Sequence, residues 1–213
     1  MIKVLSLSDE VDALIYSPRV GVLYRDVDLV IGCGDLPGEY LDYVVCHINR
    51  PLYYVEGNHV QIDDEGQVRS GSQIHGGLDL HRRVKKHVVR DQQILLAGVA
   101  GSLDYHGGPY HYSQRAMWLH VFSLVPGLWR NRARYGRYLD LFVTHAPPWG
   151  IHDQHDLPHR GIKAFHWFDR VFQPLYHLHG HIHYYRPDTV FETQMGRTTI
   201  LNTFRFKKIE FEL

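Results

Sequence analysis

The stretch VDLVIGCGD, residues 27–35, places apolar Val27, Leu29, Val30 and Ile31 directly ahead of Gly32, Gly34 and Asp35. A short apolar, partly β-branched run that stops at glycine and a carboxylate reads as a buried strand delivering an acid to the loop beyond it. The same pattern recurs on both sides. IKVLSLSD (2–9) ends at Ser8 and Asp9, and RPLYYVEGNH (50–59) closes on Gly57, Asn58 and His59, with a helix expected between them from about Gly38 to His47. YLDLFVTHAPPWG (138–150) runs into Thr144 and His145 and is stopped by two prolines; LYHLHGHIH (175–183) runs into Gly180, His181 and His183. Five strand ends finish on Asp, Asn or His.

Outward from these, RVKKHVV (83–89) and QILLAGVAG (93–101) are strand-like, residues 61–75 read as a polar loop, and GSLDYHGGPYHY (101–112) is aromatic, glycine-rich and irregular. From Ser113 to about Tyr135 apolar residues recur at helical spacing. Pro126 and Gly127 interrupt that run, so two helical pieces or a kink are expected. IKAFHWFDRVF (162–172) is a helix candidate, and residues 188–213 form a terminal β meander with a turn near Met195 and Gly196. Strands alternating with helices, followed by a hairpin-rich end, indicate an α/β protein with a mixed sheet or two packed sheets, as one domain over 1–213. In open α/β sheets the site lies beyond the carboxyl ends of the strands, which is where the Asp, Asn and His residues stand.

Composition narrows the function. Twenty-three basic residues balance 23 acidic ones, so no overall positive field holds a nucleic acid. Two local basic stretches, HRRVKKHVVR (81–90) and RNRARYGR (130–137), read as solvated surface. The opening MIKVLSLSDE lacks the long apolar centre of a secretory signal, and AMWLHVFSLVPGLW (116–129) is shorter than the ~20 residues of a membrane-spanning helix. With only Cys33 and Cys46 there is no disulfide framework, and a cytoplasmic protein is expected. Histidine is the anomaly: 17 residues, scattered along the chain.

Singly, Asp9 or Asp35 is a helix cap, Asn58 a turn residue and His145 a hydrogen-bonded histidine. Jointly, strand ends carrying these groups into one volume leave polar atoms that a divalent cation satisfies, since carboxylate, amide oxygen and imidazole are the ligand set of Mn, Fe and Zn. In an extended segment His181 and His183 project to one side and reach neighbouring metal positions, with Gly180 allowing close backbone approach.

In order and placement, the segments SDEV, GCGD, EGNHV, THAPP and HGHIH resemble the motifs of the calcineurin-like metallophosphoesterase superfamily, over residues 8–183. That resemblance implies a four-layer αββα fold, a two-sheet β-sandwich flanked by helices. It also implies two divalent metal ions, one held by Asp35, Asn58, His145 and His181, the other by Asp9, Asp35 and His183. The activity implied is hydrolysis of phosphoesters, more specifically of a small phosphodiester, by metal-activated water. Asn58 and His59 are the implied catalytic residues, with His59 protonating the leaving oxygen or steadying phosphoryl charge.

The chain departs from the pattern twice. The histidine expected two residues after Asp9 is Val11, so the Asp9/His183 metal position is expected to be weak or absent, with Glu10 or Asp12 as substitutes. The acid expected after His59 is Val60, with Asp63 or Asp64 in its place. Both losses favour the alternative of an inactive protein-interaction scaffold, against which stands the complete first ligand set. Loop 150–161 either lines the substrate cleft, through His159 or Arg160, or is solvated surface. His179 is expected to pack behind the ligands, and Cys33 to be a buried strand residue. Oligomeric state is not legible.

Overall fold

The computed structural model describes every residue except 60, 63–67, 70–73, 75 and 186–188; of 61, 62, 68 and 69 only the backbone is described. Val60, Asp63 and Asp64 therefore lie outside the described residues.

Chain order is β1 (Ile2–Ser8), α1 (Val20–Leu23), β2 (Leu29–Gly32), α2 (Gly38–Ile48), β3 (Leu52–Tyr54), β4 (Gln61–Ile62), β5 (Val68–Arg69), β6 (Gly77–Asp79), β7 (Arg83–Val89) and β8 (Gln92–Val99). There follow β9 (Ser102–Leu103), β10 (His111–Tyr112), α3 (Gln114–Tyr135), β11 (Leu141–Thr144), α4 (Lys163–Phe172), β12 (Tyr176–His179), β13 (Glu192–Met195), β14 (Thr198–Asn202) and β15 (Arg205–Phe211). One sheet has the order β15-β1-β2-β3-β6, the other β13-β14-β12-β11-β8-β7. Both are parallel inside, with antiparallel strands only at edges: β15 on β1, β13 on β14 and β7 on β8.

The apolar strand runs have a common cause: most of the central strands are covered on both faces. Val4, Leu29, Ile31 and Tyr53 of the first sheet meet Ile94, Leu96, Leu141, Val143 and Leu178 of the second. The alternate residues Leu5, Leu7 and Val30 pack under Tyr40, Leu41 and Val44 of α2. On the far side Leu95, Ala97 and Phe142 pack under Met117, Val121 and Leu124 of α3 and Phe165 and Phe168 of α4. Helix, sheet, sheet, helix is thus the layer order, the αββα sandwich expected from the sequence.

Three details depart from expectation. Helix α3 runs unbroken through Pro126, capped by Ser113 Oγ on the Ala116 N–H (3.2 Å) and ended by Gly136 at φ +75°. The carbonyl that Pro126 leaves without its helical partner belongs to Phe122, a residue that is 48% exposed. Residues 61–62 and 68–69, read as loop, pair as a small antiparallel ribbon. The terminal segment is not one meander: β13 and β14 turn at Gly196 in the second sheet, but β15 crosses to the first and pairs along β1 from Ile2↔Phe211 to Ser8↔Arg205. Among the described residues no helix is long and apolar enough to cross a membrane.

Candidate metal centre

At the C-terminal edge of the two sheets the polar strand ends converge. β1 leads to Asp9, β2 to Asp35 and β3 to Asn58 and His59, all from the first sheet; β11 leads to His145 and β12 to His181, from the second. Two of these ends turn sharply. The Glu10 N–H bonds to the Ser8 carbonyl (2.8 Å) around Asp9 at φ +67°, and the Ile182 N–H bonds to the Gly180 carbonyl (2.8 Å) around His181 at φ +69°. Each is a γ-turn with positive φ, a rare and strained form that persists where the surroundings enforce it. The extended pleat expected for His181 and His183 is therefore corrected: the chain turns at His181, whose ring is buried, while that of His183 is about half exposed.

Two glycines permit the close approach. A Cβ on Gly180 would stand 2.7 Å from Asp9 Oδ2 and overlap Ser8 Oγ, and one on Gly57 would overlap the Asp35 carboxylate.

Asp35, His145 and His181 each offer a ligand atom within 4.8 Å of the others. His145 Nε2 lies 3.2 Å from Asp35 Oδ2, 2.9 Å from Asn58 Oδ1 and 3.1 Å from His181 Nδ1. Bonds from outside decide what these atoms are. His145 Nδ1 donates to the Cys33 carbonyl (2.8 Å), and His181 Nε2 donates to the Pro158 carbonyl (2.8 Å). Each neutral ring therefore presents a lone pair, not a proton, to the centre. The Asn58 amide nitrogen donates to the Tyr105 hydroxyl (3.1 Å), which turns its oxygen inward. Four acceptors face one another with no built-in donor, a set that a divalent cation with nitrogen and oxygen ligands fits.

Electrostatics agree. Burial opposes ionisation of Asp35, yet the His145 charge, its hydrogen bond and the His59 N–H (2.8 Å) hold the carboxyl well below the usual carboxylate range. Burial also works against a charge on His145, but Asp35 overrides it and pushes the imidazole up to about 9. Burial and the His145 charge push His181 down to about 4.

The neighbouring position is poorer. Asp9 accepts from Ser8 Oγ (2.5 Å) and from the His181 N–H (2.9 and 3.1 Å), and His183 Nε2 stands 3.7 Å from Asp9 Oδ1. The nearby Asp9 carboxylate raises the His183 pKa despite burial. Val11 is 45% exposed. Both candidate substitutes are already engaged: Glu10 binds Tyr185 Oη and Arg205 Nε (2.9 Å), and Asp12 Oδ1 accepts from the Leu14 N–H (2.8 Å).

Behind the centre, buried polar groups hold the strand ends. Asp169 Oδ2 meets His177 Nδ1 (2.7 Å), His177 Nε2 meets Thr144 Oγ1 (2.8 Å), and Thr144 donates to the Ala146 carbonyl (2.7 Å), bracketing His145. His179 packs as expected, its Nε2 2.9 Å from His152 Nδ1. Cys33 is buried, and that burial pushes its thiol up to about 12; it serves through its carbonyl. Loop 150–161 does reach the centre, but through the Pro158 backbone and the His159 ring, 5.5 Å from that of His181. His159 pairs with Asp156 (2.6 Å), and Arg160 turns to the His155 carbonyl (3.3 Å).

Tyr105 was invisible in the sequence. It comes from the irregular 101–112 stretch, with His106 and His111 rings 4.2 and 4.9 Å from its own. Only the aromatic and imidazole content of GSLDYHGGPYHY hinted at it.

Fold and site together define a two-sheet αββα protein with a metal-fitting acceptor cluster at its strand ends. Residues 11–185 match the profile of the calcineurin-like phosphoesterases, and the chain belongs to that family. No curated protein sequence matches it. The fold is similar to the TT1561 protein of Thermus thermophilus, with a TM-score of 0.64 and 16% identity over 96% of this chain and 89% of that one. It is also similar to a hypothetical protein from the same organism, with a TM-score of 0.53 and 17% identity over 94% of this chain and 75% of that one. GAP50, the anchor in the inner membrane complex of Plasmodium, has a TM-score of 0.51 and 9% identity over 94% of this chain and 70% of that one.

Proposed function

We propose that this protein is a metal-dependent hydrolase of small phosphodiesters. The observation that supports this most is the ring of four inward-facing acceptors on Asp35, Asn58, His145 and His181, with both imidazole tautomers set from outside the ring. Asp35, Asn58, His145 and His181 would hold one divalent ion, and Asp9 and His183, with Asp35 shared, a second and weaker one. Mn, Fe and Zn all suit these ligands. Such ions supply acidified water as a nucleophile and neutralise charge on a phosphoryl group.

The protein's own groups do the rest. His59 has an exposed side chain, and its backbone N–H is fixed to Asp35 Oδ1, so the imidazole stands beside the centre and can protonate the departing oxygen. Tyr105 accepts from Asn58 and keeps its own hydroxyl proton for a phosphoryl oxygen. The balanced net charge supports a small substrate over a nucleic acid, and the absence of a spanning helix among the described residues fits the cytoplasmic placement we propose. The competing reading is a scaffold without turnover, favoured by exposed Val11 and the incomplete second position.

The test is hydrolysis of bis-p-nitrophenyl phosphate beside p-nitrophenyl phosphate with added Mn. Turnover of the diester that chelator, Asn58→Ala and His59→Ala each abolish supports the proposal. Metal-loaded protein inert on a broad phosphoester panel supports the scaffold.

A further inference from the structure

The basic stretches 81–90 and 130–137 meet in the fold. β7 is the edge strand of the second sheet, and the C-terminal half of α3 crosses it so closely that a Cβ on Gly127 would lie 2.8 Å from Val84 Cγ2. Between them is a cavity of about 350 Å³ whose wall carries Lys85, Lys86, Arg130 and Arg134, with Asn131 and Tyr135, and no carboxylate.

Six basic side chains elsewhere are paired with acids. Lys3 and Lys208 pair with Asp26, Arg90 with Asp28, Arg83 with Asp79, Arg137 with Asp140 and Arg205 with Glu10. Among the described residues the cavity cations have no such partner, and α3 contains no acid from Gln114 to Tyr135. The Tyr135 ring draws Lys86 Nζ to 6.0 Å and Arg134 Cζ to 5.7 Å, holding both charges beside the opening. Asn131 donates to the Tyr138 carbonyl (2.9 Å) and keeps its amide position. Like charges gathered round one hollow repel, and a multivalent anion removes that repulsion.

The cavity is separate from the metal centre. Lys85 is paired with Leu96, three residues before Val99, which is level with Thr144. That sets the cavity about 10 Å down the strand axis from the centre.

We propose that this cavity is a second, metal-independent anion site that takes an oligophosphate group. Two guanidinium forks and two ammonium groups match the oxygens of a di- or triphosphate, and a single phosphate would leave much of the volume empty. The charge is confined to one hollow of a neutral chain, which disfavours a nucleic-acid track. Inorganic pyrophosphate and the phosphate tail of a nucleotide share the chemistry.

Calorimetric titration of chelator-treated protein decides the matter, because removing metal takes the cations from the Asp35 centre and leaves this cavity intact. Pyrophosphate is expected to bind at one equivalent, to weaken at least tenfold in Lys86→Gln combined with Arg134→Gln, and to be unchanged in Asn58→Ala. Tighter binding of ATP than of pyrophosphate identifies a nucleotide as the ligand, and equal binding identifies the phosphate group alone. Thermal melting of the double variant, with a Tm within a few degrees of the parent, shows that it folds. No binding, binding lost in Asn58→Ala but not in the double variant, or affinity for single-stranded oligonucleotides that grows with length would overturn the proposal.

Discussion

Asn58 shows how much depends on one hydrogen bond: its oxygen faces the centre only because its nitrogen is held by Tyr105. Tyr105→Phe keeps the ring and removes the anchor, so metal affinity is expected to fall roughly tenfold to a hundredfold, as for other groups that orient ligands. Competition with a fluorescent chelator measures this, and an unchanged affinity would refute the assigned role. His81 governs a different property. Burial pushes its pKa down to about 4, so the folded state keeps it neutral where the unfolded chain, at about 6.5, binds a proton. Stability is thus full above pH 6.5 and declines as pH falls toward 4. His81→Asn retains an acceptor for the Ala100 N–H (3.0 Å) and is expected to flatten that decline by several degrees of Tm, read by melting chelator-treated protein across this window. Asp35, Asn58, His145 and His181 were legible because each follows an apolar run. Tyr105 was not, since it reaches Asn58 from 47 residues downstream with no periodic pattern to place it.

Strand ends, rather than strands, carry the strain. The γ-turns at Asp9 and His181 pack against each other, with Gly180 wedged between Ser8 and Asp9. Gly180→Ala is expected to force these ends apart, costing on the order of 2 kcal/mol of stability and most of the metal affinity. Denaturant unfolding and metal titration of the variant test both parts; parental values for each would show that the tips yield freely. The strands themselves were readable from their apolar runs, and α2 and α4 from their periodicity. The γ-turns were not, because positive φ at Asp9 and His181 is imposed by packing from the other sheet. The continuity of α3 past Pro126 and the crossing of β15 escaped for similar reasons. One depends on Phe122 lying on an exposed face of the helix, the other on which sheet has a free edge.

Across the molecule the two proposed metal positions are unequal. Manganese titrated into stripped protein is expected to fill one site at least tenfold more tightly than the other, since Val11 supplies no ligand and Asp9 is already engaged by Ser8 and the His181 N–H. Two equally tight sites would contradict this. The division of the acceptor ring between sheets has a further consequence. Asp35 and Asn58 belong to one sheet and His145 and His181 to the other, so the ring exists only once both have docked. A cation seated there would act as a rivet across the seam, absent while the halves are apart. Loading should therefore lengthen the lifetime of the native state against proteases and denaturant while leaving the speed of refolding nearly untouched.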